Sequence, residues 1–234
     1  MLLNLSYGKT IIPIELSLEH RKSLTITVYP DKKVVARAPI EKHKDEIIKR
    51  LKKHCSWIIR KLDYFEQFHP LPPKQRYLSG ESFYYLGRQY RLKIIKGERP
   101  SIKLKGKFYW ITVPDTSNTK MIKTVFMNWY ASHAKVLFLK RLEYYHEKII
   151  KNNPLPPLRI KWFKSKWGSY SPKQKVIRLN IELVKAPIHC IDYVIIHELC
   201  HIIHPHHNKA YYKLLTKGLP DWKDRKYRLE RVII

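Results

Sequence analysis

The chain has 234 residues, enough for one large domain or two small ones with a buried core, and its 47 Lys plus Arg against 19 Asp plus Glu give a formal net charge of +28. Such a surface attracts polyanions such as nucleic acid, anionic membrane or acidic proteins, and compositional drift toward lysine alone would usually have raised glutamate with it. The three cysteines, Cys55, Cys190 and Cys200, suggest no disulfide framework. The N-terminus lacks the pattern of a signal peptide, and no eighteen apolar residues run together, so the expectation is a cytoplasmic protein without a membrane span.

In chain order, Ser23 to Tyr29 alternates, Pro30-Asp31 turns, and Val34 to Ala38 resumes an extended pattern, which predicts a β-hairpin. Helical spacing through Ile47, Ile48, Leu51, Trp57, Ile58 and Leu62 predicts one long helix from Glu41 to about Phe68, ended by the prolines of His69-Pro70-Leu71-Pro72-Pro73. Tyr77-Leu78, Phe83 to Leu86, Tyr90 to Ile95, Ile102 to Leu104 and Phe108 to Val113 read as short strands punctuated by glycines. A long linker helix is expected from Asn118 to about Ile150, where apolar residues recur at helical intervals with no proline until Pro154. Leu158 to Phe163 and Val176 to Ile181 read as strands separated by a loop, Lys164 to Pro172. Beyond the histidine-rich stretch, Asn208 can cap a helix that stops at Gly218, and Asp221 a last short one. The division expected is a β-rich part over residues 1–115 and a second part over 116–234.

Five of the twelve histidines fall within the eleven residues from His197 to His207. His197 and His201 are four apart, so at about 100° per residue they project from one helical face a turn apart and can share a metal. Glu198 beside them sits where a carboxylate can take a proton from metal-activated water without being a ligand, the arrangement of a zinc H-E-x-x-H motif. Cys190, His201 and His204 lie within about forty degrees of His197, and Ile188, Ile191, Ile195, Leu199 and Ile202 cluster opposite. Cys200 falls off the histidine face and reads as packing. Pro205 limits the helix. Three histidines compete for a third ligand position: His204 lies two turns beyond His197 and reaches poorly, whereas His206 and His207 both follow the turn, and the five-residue gap after His201 favours His207.

Between Arg159 and Lys185 eight basic residues and one acid, Glu182, are interleaved with Trp162, Phe163, Trp167 and Tyr170. Stacking of bases on aromatics beside cations would make this a nucleic-acid surface, with Lys164, Lys166 and Lys173 as phosphate contacts. Alternation in Arg159 to Trp162 is equally what a half-buried strand gives, which places the aromatics in a core.

The segment Lys164-Ser165-Lys166-Trp167-Gly168-Ser169, then Val176 to Asn180, Ile191-Asp192-Tyr193-Val194, His197-Glu198-Leu199-Cys200-His201 and His207 resembles the YgjP-like metallopeptidase family. These are predicted metal-dependent hydrolases of the zincin type, more distantly similar to the SprT and WLM metallopeptidases. Arg21-Lys22-Ser23 and Leu86-Gly87-Arg88-Gln89-Tyr90 extend the resemblance over nearly the whole chain. It implies His197, His201 and His207 as zinc ligands and Glu198 as catalytic base. The family commonly has cysteine where this chain has Tyr170, and Phe-Trp where it has Tyr211-Tyr212. The expectation is an α+β fold with a zincin-like C-terminal half, and a zinc-dependent peptidase acting on peptide or protein. Metal-dependent hydrolysis of nucleotides or phosphate esters, and nucleic-acid binding with a structural zinc, are the alternatives. Glu198 argues against the last, since a structural site needs no base.

Overall fold

The computed structural model describes residues 1–67, 69–70, 75–163 and 166–232, and the chain divides into two compact units, Met1–Pro73 and Lys74–Ile233. Phe68, the prolines at 72 and 73 and the loop residues Lys164 and Ser165 lie outside the described residues. The expected boundary at 115/116 falls inside the second unit. Its physical reason is a shared core: Phe83, Leu92, Tyr109 and Ile111 pack in one cluster with Phe126, Tyr130 and Ile195, so strands and helices on either side of residue 115 bury the same surface.

In the first unit β1 (Leu2–Tyr7) pairs antiparallel with β2 (Thr10–Glu19), β2 runs parallel to β4 (Val34–Pro39), and β3 (Thr25–Val28) closes the sheet against β4 in the expected hairpin. Strands β1 and β2 were not expected. Ile12, Ile14 and Leu16 do alternate into the core, but Pro13 interrupts them; it is tolerated because pairing with β4 begins one residue later, at Ile14. The single helix expected to Phe68 is two, α1 (Lys44–Lys53) and α2 (Cys55–Glu66), broken at His54. The apolar period runs through the break, since Ile47, Leu51, Cys55 and Ile58 still form one buried stripe.

In the second unit β5 (Ser82–Tyr85), β6 (Arg88–Lys96), β7 (Ser101–Lys105) and β8 (Phe108–Val113) form a sheet of order β5-β6-β8-β7, with β6 and β8 parallel. Tyr77-Leu78, expected as a strand, is a loop: the backbone N–H groups of Arg76, Tyr77 and Leu78 donate to the Glu81 carboxylate at 3.1, 2.6 and 3.2 Å, and Tyr77 sits at φ +61°. The long helix α3 (Thr119–Ile150) starts where the sequence places it, Asn118 accepting from the Met121 N–H at 2.9 Å, and lays Ile122, Phe126 and Tyr130 against the sheet. A second sheet follows, of order β10-β11-β9, from β9 (Leu158–Lys161), β10 (Gly168–Ser171) and β11 (Val176–Asn180). Then come a short 3₁₀ turn and α4 (Ile188–Ile203), α5 (Lys209–Gly218) and α6 (Trp222–Val232). The α+β class is as expected. Among the described residues no helix is long and apolar enough to cross a membrane.

One ion pair ties α3 to α4. Asp192, only 4% exposed, accepts from Arg141 Nε and Nη2 at 2.6 Å each and from the Tyr145 hydroxyl at 3.0 Å. A bidentate guanidinium with a third donor satisfies the carboxylate, whereas removing the carboxylate would strand a partly buried cation. Asp192→Ala is therefore expected to lower unfolding free energy by about 3 kcal/mol in urea titration. A loss below about 1 kcal/mol would show that the pair does not hold the two helices together.

Candidate metal centre

The two ends of α4 are each held by a local device. At its start, the β5–β6 turn is bonded to the preceding segment, Leu86 N–H to Val184 O at 3.0 Å and Gly87 N–H to Lys185 O at 2.9 Å. Gly87 has φ +79°, and a Cβ there would stand 2.6 Å from Pro187, so only glycine allows this approach. At its end the helix stops at Ile203 and His204 is extended, as a residue before proline must be. The chain then turns back, and Asn208 caps α5 by accepting from the Tyr211 N–H at 2.9 Å.

This turn brings His207 to the face carrying His197 and His201. One ligand atom from each lies within 4.8 Å of the others, and the Nε2 atoms of His197 and His207 are 3.3 Å apart. Two nitrogens held at about 2.0–2.1 Å by a tetrahedral zinc would stand about 3.3–3.4 Å apart, so the donor set fits such an ion. Neither His204 nor His206 belongs to the group. The outer nitrogens of two rings are engaged. His201 Nδ1 lies 3.1 Å from the His204 carbonyl, to which it can only donate, leaving Nε2 free as a lone-pair donor. His197 Nδ1 lies 2.7 Å from the Tyr211 hydroxyl, which is also 3.3 Å from the His197 carbonyl. A hydroxyl that accepts from Nδ1–H and donates to that carbonyl satisfies both and fixes the same tautomer.

Burial dominates the electrostatics. Desolvation, with His201 and His207 as lesser contributors, pushes the His197 pKa down to about 3, and burial also lowers that of His201. Neutral imidazoles are the form that can ligate. Burial raises the Glu198 carboxyl to about 7, opposed in part by the Tyr170 backbone N–H and by Lys166. Glu198 Oε2 is buried without a hydrogen-bond partner, a ready acceptor beside the histidines. Strand β10 presses on this carboxylate so closely that a Cβ on Gly168 would be 2.7 Å from Oε1. Cys200 is buried and its thiol is pushed up to about 12, in keeping with packing rather than ligation. The pocket, about 300 Å³, is lined by Gly168, Ser169, Tyr170 and Pro172 of the β10 segment, and by the three histidines, Glu198 and Pro205.

Two contributors were not legible in advance. Tyr211 reads as a core residue of α5, and its phenolic oxygen matters only because the Asn208 cap turns it toward His197. Gly168 sits in what reads as a loop. The helix is also more deeply embedded in its middle than a two-faced pattern suggests, since Cys190, Val194, Ile196 and Glu198 are buried along with Ile191, Ile195 and Leu199, while Ile188 at its start is exposed.

The sequence signature of the YgjP-like, metallopeptidase domain family matches residues 22–232. Part of the chain is similar to two solved metallopeptidase zymogens, abylysin of Pyrococcus abyssi (22% identity, TM-score 0.37, 42% of this chain and 99% of that one) and jannalysin of Methanocaldococcus jannaschii (22%, 0.38, 42% and 97%). No individually curated protein matches. If the Tyr211 hydroxyl orients a ligand, Tyr211→Phe keeps the ring and should weaken divalent-metal affinity by about 10- to 100-fold in chelator competition, with the thermal unfolding of the metal-free protein little changed. Unaltered affinity would reduce Tyr211 to a packing residue.

Proposed function

Because the chain belongs to the YgjP-like metallopeptidase family, we propose that it is a zinc peptidase in which His197, His201 and His207 hold the ion and Glu198 is the general base. The observation that carries this reading is the convergence of three imidazole donors, two of them 3.3 Å apart, beside a buried carboxylate oxygen that has no partner. Zinc, when bound, polarises a carbonyl and lowers the pKa of water toward about 7. The chain supplies the rest. His197 and His201 are held in the tautomer that presents Nε2 inward. Glu198 Oε2 takes the proton of the attacking water as its oxygen adds to the scissile carbonyl carbon, and returns it to the amine nitrogen as the C–N bond breaks.

A peptide suits the cleft better than a phosphate ester. Strand β10 is the edge of its sheet and lines the pocket, so an extended peptide can add to it by main-chain hydrogen bonds. Among the described residues, no lysine or arginine lines the pocket to receive a phosphate. Of the cations read as phosphate contacts, the Lys166 ammonium sits 4.9 Å over the Phe163 ring, and Lys164 lies outside the described residues.

Two measurements test the assignment. His207→Ala should lose zinc on dialysis, by metal analysis, far more readily than His204→Ala or His206→Ala, and equal losses would remove His207 from the ligand set. Glu198→Gln should retain zinc while casein or peptide hydrolysis drops by about two to four orders of magnitude. Activity near the parent level would sink the general-base role, and loss of zinc would make Glu198 a ligand or structural partner.

A further inference from the structure

The basic excess of the chain has a second address. Alternation along β8 buries Tyr109, Ile111 and Val113 and leaves Phe108 and Trp110 half-exposed on the opposite face of the β5–β8 sheet. The register then surrounds these two rings with cations. Phe108 pairs with Arg91 on one side and Lys105 on the other, and Trp110 with Lys93 and Lys103. With strands about 4.8 Å apart, each ring sits at the centre of a row about 10 Å wide whose ends are positive. No aspartate or glutamate occurs on β6, β7 or β8. The Lys93 ammonium lies 4.0 Å from the Phe108 centroid and 4.6 Å from that of Trp110. A cavity of about 1030 Å³ borders Lys103, Lys105, Phe108 and Trp110 and continues to Trp129 and His133.

We infer that this sheet face is a platform for single-stranded nucleic acid, with Trp110 and Phe108 stacking on bases while Arg91, Lys93, Lys103 and Lys105 meet phosphates. Aromatic rings in the middle of a sheet with cations on both flanks match the two parts of such a ligand, unpaired bases with π faces and a backbone that carries one charge per nucleotide. Successive outward residues on β8 are about 6.7 Å apart, which leaves each ring room for its own base. A base that takes the ring face releases the Lys93 ammonium to a phosphate. An acidic peptide would satisfy the four cations but give no reason for two aromatic side chains at the centre of the row. The face is separate from the histidine pocket and shares no residue with it.

The test is a titration of the full-length protein with a labelled oligothymidylate, set against an abasic strand and a duplex of equal length. The single strand should bind best, with affinity falling linearly on a log–log salt plot. Trp110→Ala should weaken binding by about 5- to 150-fold while leaving the salt slope intact, and Trp110→Phe should recover most of the affinity. Replacing Arg91, Lys93, Lys103 and Lys105 by Gln should lower the slope by about three units, ~0.7 for each phosphate no longer neutralised. Peptide hydrolysis should stay at the parent level in all of these variants. Equal binding of the abasic strand or of the duplex would overturn the stacking role. Displacement by polyglutamate at equal charge would make the face an acidic-peptide site instead. An unchanged slope in the four-residue variant would remove the cations from the interface.

Discussion

Helix α4 has ten of its sixteen residues buried, yet it carries Asp192, His197, Glu198 and His201. A helix placed in a core can keep polar side chains only if each finds a partner, because an unpaired buried group costs its full desolvation. The surrounding elements supply those partners one by one: Arg141 and Tyr145 from α3 for Asp192, Tyr211 from α5 for His197, and the His204 carbonyl at the helix's own exit for His201. The Tyr170 backbone N–H and Lys166 oppose the effect of burial on Glu198, whose Oε2 stays unpaired. The burial of this helix thus accounts for the partners that surround it, and the carboxylate oxygen it leaves unpaired is the one to which the proposed mechanism assigns proton transfer.

What was legible in the sequence had local causes. Helix α3 is bounded by a capping asparagine and a long apolar period, α5 by Asn208 and Gly218, and the end of α4 by Pro205, so each could be placed from a few residues. The elements that escaped notice depend on partners distant in sequence. Strand β10 has no run of branched or aromatic residues; it is a strand because Gly168 to Ser171 pair with Val176 to Leu179 across a short turn. Periodicity hid the break at His54, since both halves bury one stripe, and no proline or glycine marks it. Tyr77-Leu78 has strand-like composition, but a carboxylate four residues away captures its backbone donors.

The site was legible in the same graded way. Spacing alone pairs His197 with His201 and leaves the third histidine open between His206 and His207; the chain reversal after Pro205 brings His207, and not His206, into the group. The sequence shows the exchange of phenylalanine for tyrosine at 211 as a change of one aromatic ring for another. Only the direction of that ring, set by the cap on α5, converts the added oxygen into a hydrogen-bond partner of His197. The small size of residue 168 likewise has meaning only once β10 lies against Glu198.

The net charge of +28 invites the idea that substrate is drawn electrostatically into the active site, and the pocket argues otherwise. A cluster of cations at its wall would hold the Glu198 carboxyl in its charged form and below its ordinary range. Burial instead prevails and pushes it to about 7, with Lys166 a lesser, opposing influence. The same desolvation keeps His197 neutral. In both cases burial in a cleft of low dielectric exceeds the effect of the nearby lysine, Lys166 for Glu198 and Lys226 for His197. A chain this basic can keep that balance by carrying its excess elsewhere, and the outer face of the β5–β8 sheet, with cations on both sides of each ring and no acid on its three longest strands, is such a place. Separation of the buried histidine pocket from a charged surface lets salt weaken binding at the second while burial shields the first.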